Sequence, residues 1–270
     1  MIALLKPSHR FASFVVAPTN QLAVTAARAV AESPGRVYNP LYVYGAPGLG
    51  KTHLLMAVGH AVLEIDPSLT VEYLSLEEFS TAWPTAQDAG QGDAYSRHYG
   101  EADVLLLDDV HLLAYRRDLQ LEILRVLDGI LAQSHQVVIA SDRGPNRIDG
   151  LDERLVRRFA SGLVTDVAAS SPETRFEIAR RKALERGVTF QPDVLELLAG
   201  ARLPDVRQLI AAVDRLEEAQ SRAKQPLSVD GARELLQELG IEVSVGQDHD
   251  GRAGDAGGGG EPDEFGAFLS

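Results

Sequence analysis

The residues with the clearest chemistry form a glycine-rich loop that ends in a lysine and a threonine. Residues 45–52 read GAPGLGKT, which matches the G-x-x-x-x-G-K-[ST] pattern of phosphate-binding loops. Gly48 and Gly50 allow the backbone to turn its N–H groups inward around phosphate oxygens. Lys51 supplies a positive charge for the outer phosphates, and the Thr52 hydroxyl is a ligand that suits Mg²⁺. The loop therefore predicts a site for ATP and Mg²⁺.

Two adjacent carboxylates follow an apolar run in the sequence. Residues 104–109 read VLLLDD, and Asp108 lies 57 residues after Lys51. A buried parallel strand would deliver both carboxylates at its carboxyl end, where open α/β sheets place their ligands. We expect Asp108 to hold Mg²⁺ through water, and Asp109 to orient or deprotonate the water that attacks the terminal phosphate. Apolar strands that end in aspartate are common, so this prediction depends on the spacing to the loop.

The segments around these residues alternate between short apolar runs and amphipathic patterns. Strands are predicted at 41–44, 71–74, 104–107, 137–140 and 163–167. Helical patterns separate them, which predicts a parallel α/β sheet covered by helices on both faces. From Ser171 onward the strands stop and four helical patterns follow, which predicts a small all-helical second domain. The expected domains are a nucleotide-binding α/β domain at 1–168, a helical lid at 169–240, and a disordered, glycine-rich acidic tail at 241–270.

The sequence also predicts local features of the helices. Asn20 is expected to cap a helix whose apolar face begins at Leu22. Ser75 is expected to begin a capping box, and Pro84 to interrupt the helix that follows it. A helix at 119–134 is expected to bury the leucines at its apolar spacing, Leu121, Leu124, Leu127 and Leu131.

The amino-acid composition excludes several classes of protein. The chain has 270 residues, of which 45% are hydrophobic and 24% charged, as is ordinary for a globular protein. It contains no cysteine, which excludes disulfides and thiolate metal sites. No run approaches the ~18 apolar residues that a membrane span needs, so we expect a soluble, cytoplasmic protein without membrane contact. The net charge of −13 argues against a protein whose main task is to neutralise phosphates.

Further segments along the chain match the sequence motifs of one known protein family. They are FVV at 14–16 with Asn20, YNPL at 38–41, GKTHLL at 50–55, SDR at 141–143, LDERL at 151–155 with Arg158 and Phe159, and DVR at 205–207. In these segments and in the two phosphate-site motifs, the sequence resembles the DnaA family of bacterial replication initiators, within the AAA+ class of ATPases. The resemblance covers roughly residues 10–240. It implies a P-loop AAA+ parallel sheet sandwiched by helices, followed by the helical lid.

The resemblance also implies a role for each matching position. Asp142 would be the sensor that reads the γ-phosphate, and Arg158 an arginine finger that reaches the nucleotide of a neighbouring subunit, with Arg154 beside it. Arg207 would contact ATP from the lid of the same subunit, because a guanidinium forks onto phosphate oxygens and stays charged. The implied catalytic residues are Asp108, Asp109, Asp142 and Arg158. The implied nucleotide-binding residues are Gly45, Pro47, Gly48, Leu49, Gly50, Lys51, Thr52, His53 and Arg207. The residues implied to hold Mg²⁺ are Thr52 and Asp108.

The sequence departs from the family pattern in its DNA-binding parts. No counterpart of the duplex-binding helix-turn-helix module follows Gly240, and the amino-terminal interaction domain has no counterpart either. In the region where the family carries a basic helix for single-stranded DNA, this chain offers only Arg97 and His98. Arg116 and Arg117 could make a weak contact with single-stranded DNA, but Asp118 lies where the family tends to place a base, so a charged loop on a solvated surface stays open as the alternative.

Three functions stay open on the sequence alone. The first is a slow Mg²⁺-dependent ATPase that acts in the initiation or regulation of chromosomal replication, through nucleotide-dependent assembly with itself or with a replication initiator. The second is a regulator that stimulates hydrolysis by the true initiator and resembles the short Hda paralogue. Residues 1–7 lack that paralogue's glutamine-led clamp motif. The third is a scaffold outside replication that uses nucleotide as a structural clamp, although such a clamp would not need Asp108, Asp109 and Arg158.

Overall fold

Strands and helices alternate through the first part of the computed structural model, which describes residues 5–243. The strands are β1 (Leu41–Tyr44), β2 (Val71–Ser75), β3 (Val104–Asp108), β4 (Gln136–Ser141) and β5 (Leu163–Asp166). The helices that alternate with them are α1 (Gln21–Glu32), α2 (Lys51–Ile65), α3 (Leu76–Asp88), α4 (Gly92–Gly100), α5 (Arg117–Ala132) and α6 (Glu153–Phe159). The later helices are α7 (Pro172–Glu185), α8 (Pro192–Gly200), α9 (Val206–Ala223) and α10 (Val229–Glu238).

The five strands form one parallel sheet in the order β2-β3-β4-β1-β5. Leu41 of β1 pairs with Val138 of β4 on one side and with Leu163 of β5 on the other. Val104 of β3 pairs with Gln136 of β4. Parallel neighbours need crossover connections, which the intervening helices supply. The predicted parallel α/β sheet is confirmed.

Both faces of the sheet are buried, and the alternation of side chains along each strand decides which helices they meet. In β3, Leu106 packs on the side of α1 and α2, whereas Leu105 and Leu107 pack on the side of α3, α5 and α6. A strand covered on both faces is apolar at every position, which explains the continuous apolar run at 104–107. Asp108 is the last residue of this strand and lies at the edge where ligands bind.

The four later helices form a second unit with its own apolar core, to which each of them contributes leucines or alanines. The side chains of Ser171 and Asp205 cap α7 and α9, because they accept hydrogen bonds from the backbone N–H groups of Thr174 and Gln208. In the part of the chain from residue 5 to residue 243, no helix combines the length and the hydropathy needed to span a membrane.

The helical unit continues past the boundary that the sequence predicted at residue 240. Ile241 and Val243 pack against its core, and the N–H group of Arg202 donates to the carbonyl of Glu242 at 2.9 Å. Residues 241–243 therefore belong to the folded unit. Composition placed the boundary too early, because two apolar residues are too few to be noticed in acidic surroundings. The rest of the predicted tail, 244–270, lies outside the described residues.

The junction between β2 and α3 differs from the prediction. Ser75 precedes the helix, but its side chain accepts no hydrogen bond from the first turn, so the predicted capping box is wrong. Pro84 lies inside α3 and does not interrupt it. Proline removes one backbone N–H, but its fixed φ is compatible with a helix. The stacked rings of Phe79 and Trp83, with centroids 6.1 Å apart, pack this helix against the core beside the sheet.

Side-chain directions on two other helices also differ from the sequence pattern. Asn20 precedes α1, but its side chain accepts from the N–H of Ala17 and donates to the carbonyl of Val15, so it does not cap the helix. Leu22 and Leu121 are exposed, although periodicity placed them on apolar faces. The sheet decides which stripe of a helix is buried, and that stripe includes polar residues that hydrophobic periodicity does not count.

Leu127 and Leu121 provide a matched test of this packing, because both lie on α5 and they are 1% and 57% exposed, respectively. We expect Leu127→Ala to lower the free energy of unfolding by about 2–5 kcal/mol, the usual cost of a large-to-small change in a core. Leu121→Ala should change it by about 0.5 kcal/mol or less, as is usual for surface positions. Urea denaturation followed by circular dichroism measures both values. Equal losses of unfolding free energy in the two variants would show that the buried face of α5 is assigned wrongly.

Candidate nucleotide-binding site

The glycine-rich loop lies between the carboxyl end of β1 and the first turn of α2. Gly48 (φ 75°) and Gly50 (φ 90°) adopt left-handed backbone angles that residues with side chains rarely accept. Space is also limited, because a Cβ added at Gly48 would lie 2.4 Å from the Cβ of Asp205 in the helical unit. Since α2 begins at Lys51, its unpaired first N–H groups face the loop, which suits an anion.

Lys51 is almost fully buried at this loop. Its ammonium group donates to the carbonyls of Gly45 and Ala46, at 2.8 and 3.0 Å. Burial lowers the pKa of Lys51, while the carboxylates of Asp109 and Asp108 oppose that shift. An ammonium has three donors, and the two carbonyls use two of them. One N–H is therefore left for a phosphate oxygen.

Asp108 and Asp109 lie at the end of β3 in different environments. Asp108 is buried, and its two carboxylate oxygens accept from the Tyr73 hydroxyl and from the N–H of Asp109, each at 2.9 Å. Asp109 has a φ of 57°, which is unusual for a residue with a side chain, and its carboxylate is half-exposed. Desolvation and the neighbouring Asp108 raise the pKa of Asp109. A raised pKa makes a carboxylate a stronger base, as a water-activating residue requires.

Asp142 follows β4 and lines the cleft above the loop. Its two carboxylate oxygens accept from the guanidinium of Arg143 at 2.8 and 2.9 Å, and this hydrogen bonding lowers the pKa of Asp142. His111 lies between Asp142 and Asp109, with its Nδ1 3.8 and 3.9 Å from their Oδ1 atoms. Sequence reasoning missed His111 and Tyr73. The position of His111 two residues after Asp109 could have indicated a role in the site. Nothing in the sequence distinguishes Tyr73 from an ordinary tyrosine in a strand.

A cleft of about 630 Å³ joins the loop, Asp109 and Asp142 to the helical unit, whereas Asp108 is buried beneath its lining. Its size is in the usual range for small-molecule sites. The predicted residues that the structure brings together along this cleft are Pro47, Gly48, Gly50, Lys51, Thr52, His53, Asp109, Asp142 and Arg207. The last of these comes from the first turn of α9, so both units contribute to the site.

The oxygen donors near the loop suit Mg²⁺. The Thr52 hydroxyl and the Asp108 carboxylate are hard oxygen ligands of the kind that this ion prefers. Within residues 5–243, no cluster of three or more His, Cys, Asp or Glu side chains could hold a metal by itself. Mg²⁺ usually binds one or two protein oxygens together with phosphate oxygens and water, so this donor set fits an ion that arrives with a nucleotide.

His53 lines the cleft and also packs against the amino-terminal segment. Its ring meets the rings of His9 and Phe14 edge-on, at centroid distances of 4.6 and 5.2 Å. Its Nε2 lies 3.0 Å from the carbonyl of Arg10, and burial lowers the pKa of His53 to about 4. The imidazole is thus neutral at physiological pH. With Leu49 it also lines a small cavity of about 70 Å³ beside the main cleft.

Arg158 lies outside the nucleotide cleft. It is on α6 and lines a separate surface cleft, where its guanidinium Nε donates to the carboxylate of Asp128 at 2.8 Å. Arg154 lies in the same cleft and pairs with Asp152, the residue that caps α6. The structure therefore does not bring Arg158 together with Lys51, although both were predicted to act on a nucleotide.

Comparison with known proteins identifies the family. The family model for the bacterial DnaA ATPase domain matches residues 5–166. The chain belongs to the DnaA family. It is 38% identical to the chromosomal replication initiator protein DnaA of Symbiobacterium thermophilum over 239 residues, which are 88% of this chain and 52% of that protein. It is also 38% identical to DnaA of Cutibacterium acnes, over 87% of this chain and 47% of that protein. The chain thus spans about half the length of these relatives.

Solved structures agree with this assignment. Domain III of DnaA from Thermotoga maritima matches with a TM-score of 0.83 at 34% identity, covering 87% of this chain and 98% of that one. A DnaA bound to AMPPCP and single-stranded DNA matches with a TM-score of 0.73 at 29% identity, covering 82% and 69%. The RuvB branch migration motor of Thermotoga maritima matches with a TM-score of 0.59 at 20% identity, covering 86% and 72%, and shares the fold alone. The predicted AAA+ fold and DnaA family are confirmed.

Gly48 and Gly90 allow a test of how closely the loop and the lid approach each other. Both have a positive φ, but an added Cβ meets Asp205 at Gly48 and nothing within 4 Å at Gly90. We expect Gly48→Ala to weaken ATP affinity by about tenfold or more, since displacing Asp205 moves Arg207 and a charged hydrogen bond contributes about 1.5–3 kcal/mol. Gly90→Ala should cost about 1 kcal/mol of stability from backbone strain and leave affinity unchanged.

Titration with a fluorescent ATP analogue measures the affinities, and thermal unfolding measures the stabilities. Equal weakening of ATP binding in both variants would contradict a specific contact between the loop and the lid.

Proposed function

We propose that this chain is an ATP-binding AAA+ switch that hydrolyses ATP slowly with Mg²⁺ and assembles with copies of itself or with a replication initiator. The observation that carries the proposal is the separation of its charged groups. Lys51, Asp109, Asp142 and Arg207 share one cleft, whereas Arg158 lies on another. A subunit built in this way binds a nucleotide but needs an arginine from a neighbour to neutralise the charge that develops during hydrolysis. The proposed role is initiation or regulation of chromosomal DNA replication.

The proposed chemistry divides the work among residues of the cleft. The loop N–H groups and Lys51 bind the outer phosphates, and Thr52 and Asp108 would hold Mg²⁺, which neutralises phosphate charge when bound. Asp109 orients the attacking water and accepts its proton, for which its raised pKa is suited. Asp142 reads the γ-phosphate from the end of β4. Each role depends on the carboxyl ends of neighbouring strands meeting at one edge of the sheet.

Arg207 couples the lid to the state of the nucleotide in this proposal. Asp205 caps α9 only two residues earlier and lies against Gly48 of the loop. A guanidinium that forks onto the γ-phosphate therefore acts on a helix that already contacts the loop. ATP and ADP differ by this phosphate, so the two nucleotides favour different positions of the lid.

Arg158 can leave Asp128 for a neighbouring subunit at a small cost in free energy. It is bound only to Asp128 among the described side chains, and both residues are about half-exposed. Exposed ion pairs contribute about 0–1 kcal/mol, so a phosphate of another subunit can replace the carboxylate of Asp128. Guanidinium groups bind phosphate and carboxylate with the same fork geometry. The pair therefore holds the arginine in place until assembly.

A weak contact with single-stranded DNA through Arg116 and Arg117 is part of the proposal. Arg116 lines the nucleotide cleft, and its Nε lies 3.9 Å from the carboxylate of Asp118, while Arg117 begins α5. A DnaA relative of known structure binds single-stranded DNA together with AMPPCP. Two arginines beside a carboxylate provide a small electrostatic attraction, so this binding should be weak and sensitive to salt.

Steady-state ATP turnover, measured against protein concentration, tests the proposal. We expect the rate per subunit to rise with concentration in the wild type. In Arg158→Ala it should fall toward background, by as much as ~10³-fold, because an arginine finger stabilises the transition state. Arg157→Ala is the matched control, since Arg157 lies on the same helix and pairs with the exposed Glu153. Lys51→Ala should abolish ATP binding.

Two outcomes would change the conclusion. Flat and negligible turnover despite tight ATP binding would favour a regulator that acts on the nucleotide of another protein. Equal losses in Arg158→Ala and Arg157→Ala would contradict the assignment of the arginine finger.

The Asp128–Arg158 pair gives a further prediction. We expect Asp128→Asn to lower the protein concentration at half-maximal turnover several-fold, because it releases the arginine without changing the size of the side chain. Glu153→Gln is the matched control, since it also removes one negative charge, but from the start of α6, where Glu153 pairs with Arg157 and not with Arg158. Turnover titrations measure both. If the two variants shift the midpoint equally, the effect is one of net charge and the specific pairing is unimportant.

A further inference from the structure

His111 lies between two carboxylates of the nucleotide cleft. It is part of a short 3-10 turn, Val110–Leu113, that follows Asp109 directly. Its Nδ1 is 3.9 Å from Oδ1 of Asp109 and 3.8 Å from Oδ1 of Asp142. This nitrogen is buried and has no hydrogen-bond partner within the described chain. Buried polar atoms are nearly always paired, so its position between two acceptors requires a physical reason.

The chemistry of the neighbours decides which nitrogen of His111 carries a hydrogen. Ionised carboxylates only accept hydrogen bonds. A lone pair on Nδ1 would be repelled by both anionic oxygens, whereas an Nδ1–H group is attracted by both. The geometry therefore favours the Nδ1–H form. Each separation exceeds the usual N–H···O range of about 2.7–3.2 Å, so a movement of roughly 1 Å toward either oxygen completes a hydrogen bond.

The two carboxylates differ in how firmly they are held. Arg143 binds both oxygens of Asp142, at 2.8 and 2.9 Å, which fixes that group. Asp109 is held through its backbone, but its carboxylate accepts no hydrogen bond from the residues that the structure describes. Asp109 thus lacks a donor that would orient it, and His111 is placed to be that donor.

We propose that His111 is a positioning residue for hydrolysis, whose Nδ1–H bridges the two carboxylates and transmits the fixed orientation of Asp142 to Asp109. Arg143 fixes Asp142, Asp142 orients His111, and His111 orients Asp109. The γ-phosphate sensor and the water-activating carboxylate then move as one unit. Catalytic hydrogen bonds are often long before substrate binds and shorten in the complex, which agrees with the two distances. The inference rests on the proposed function, because it concerns hydrolysis at that site.

Two substitutions separate the role of the N–H group from the role of the ring. His111→Phe keeps a planar ring and removes both nitrogens, whereas His111→Asn places an amide N–H where Nδ1 lies. We expect His111→Phe to lower kcat for ATP about 100-fold, the cost of roughly a 1 Å misplacement of a reacting group. KM should change by no more than about twofold, because the residue is proposed to act in the transition state and not in binding. His111→Asn should restore most of the lost rate.

These rates are compared at saturating protein concentration, and thermal unfolding checks that each variant folds. Equal losses of kcat in the Phe and Asn variants would overturn the proposal. A raised KM with unchanged kcat would overturn it as well, because that result would mean a contact with the nucleotide itself.

A second measurement reports the contact without turnover. In ¹⁵N NMR of histidine-labelled protein in mildly alkaline buffer, His111 should show a protonated Nδ1 and an unprotonated Nε2. Asp142→Asn should shift it toward the Nε2–H form. His135 is the internal control, because its Nδ1 lies 2.9 Å from the carbonyl of Ala102 and should keep its hydrogen in both proteins.

The two measurements separate the inference from the proposed function. An Nε2–H form in the wild type would overturn the bridge even in a protein that hydrolyses ATP. A protonated Nδ1 without any turnover would support the bridge and overturn hydrolysis as its purpose.

Discussion

Lys51 carries a positive charge that is almost fully buried, and the rest of the structure depends on compensating it. An ammonium is tolerated inside a protein only when acceptors and opposite charges surround it. The loop carbonyls accept its hydrogens, and the carboxylates at the ends of β3 and β4 offset its charge. Because β3, β4 and β1 are neighbours in one parallel sheet, their carboxyl ends meet at the same edge. The strand order is therefore part of the chemistry of the site.

The helical unit takes part in this arrangement through a close contact. Gly48 lies so near Asp205 that a single additional carbon does not fit, and Asp205 caps the helix that carries Arg207. The loop, the cap and the arginine thus form one connected structure. Under the proposed function, a nucleotide bound to the loop also contacts the lid, and a change in its outer phosphate favours a different lid position. The fold therefore places the phosphate-binding loop in direct contact with the helical unit.

One helix connects the nucleotide cleft with the separate cleft around Arg158. Arg116, which precedes α5, lines the first cleft, and Asp128 of α5 binds Arg158 in the second. Twelve residues of helix separate the two positions, which is about 18 Å along its axis. Helices are stiff over this length, so the two clefts keep a fixed separation. A subunit with this geometry has the proposed nucleotide cleft on one surface and Arg158, paired with Asp128, on another, which suits the proposed assembly of subunits.

The sequence alone determined the five strands, the helices between them and the phosphate loop. Their signals are local: apolar runs of strand length, helical periodicity, and glycines followed by lysine and threonine. The tertiary structure decided those features that depend on residues distant in sequence, such as which side chains are buried and which groups meet in the site. The helix α3 continues through Pro84, and the face of α5 that meets the sheet leaves Leu121 exposed. The approach of β3 and β4 placed His111 between two carboxylates, although 31 residues separate it from Asp142 along the chain. Periodicity describes the face of one element, whereas burial and hydrogen bonding are set by the elements that pack against it.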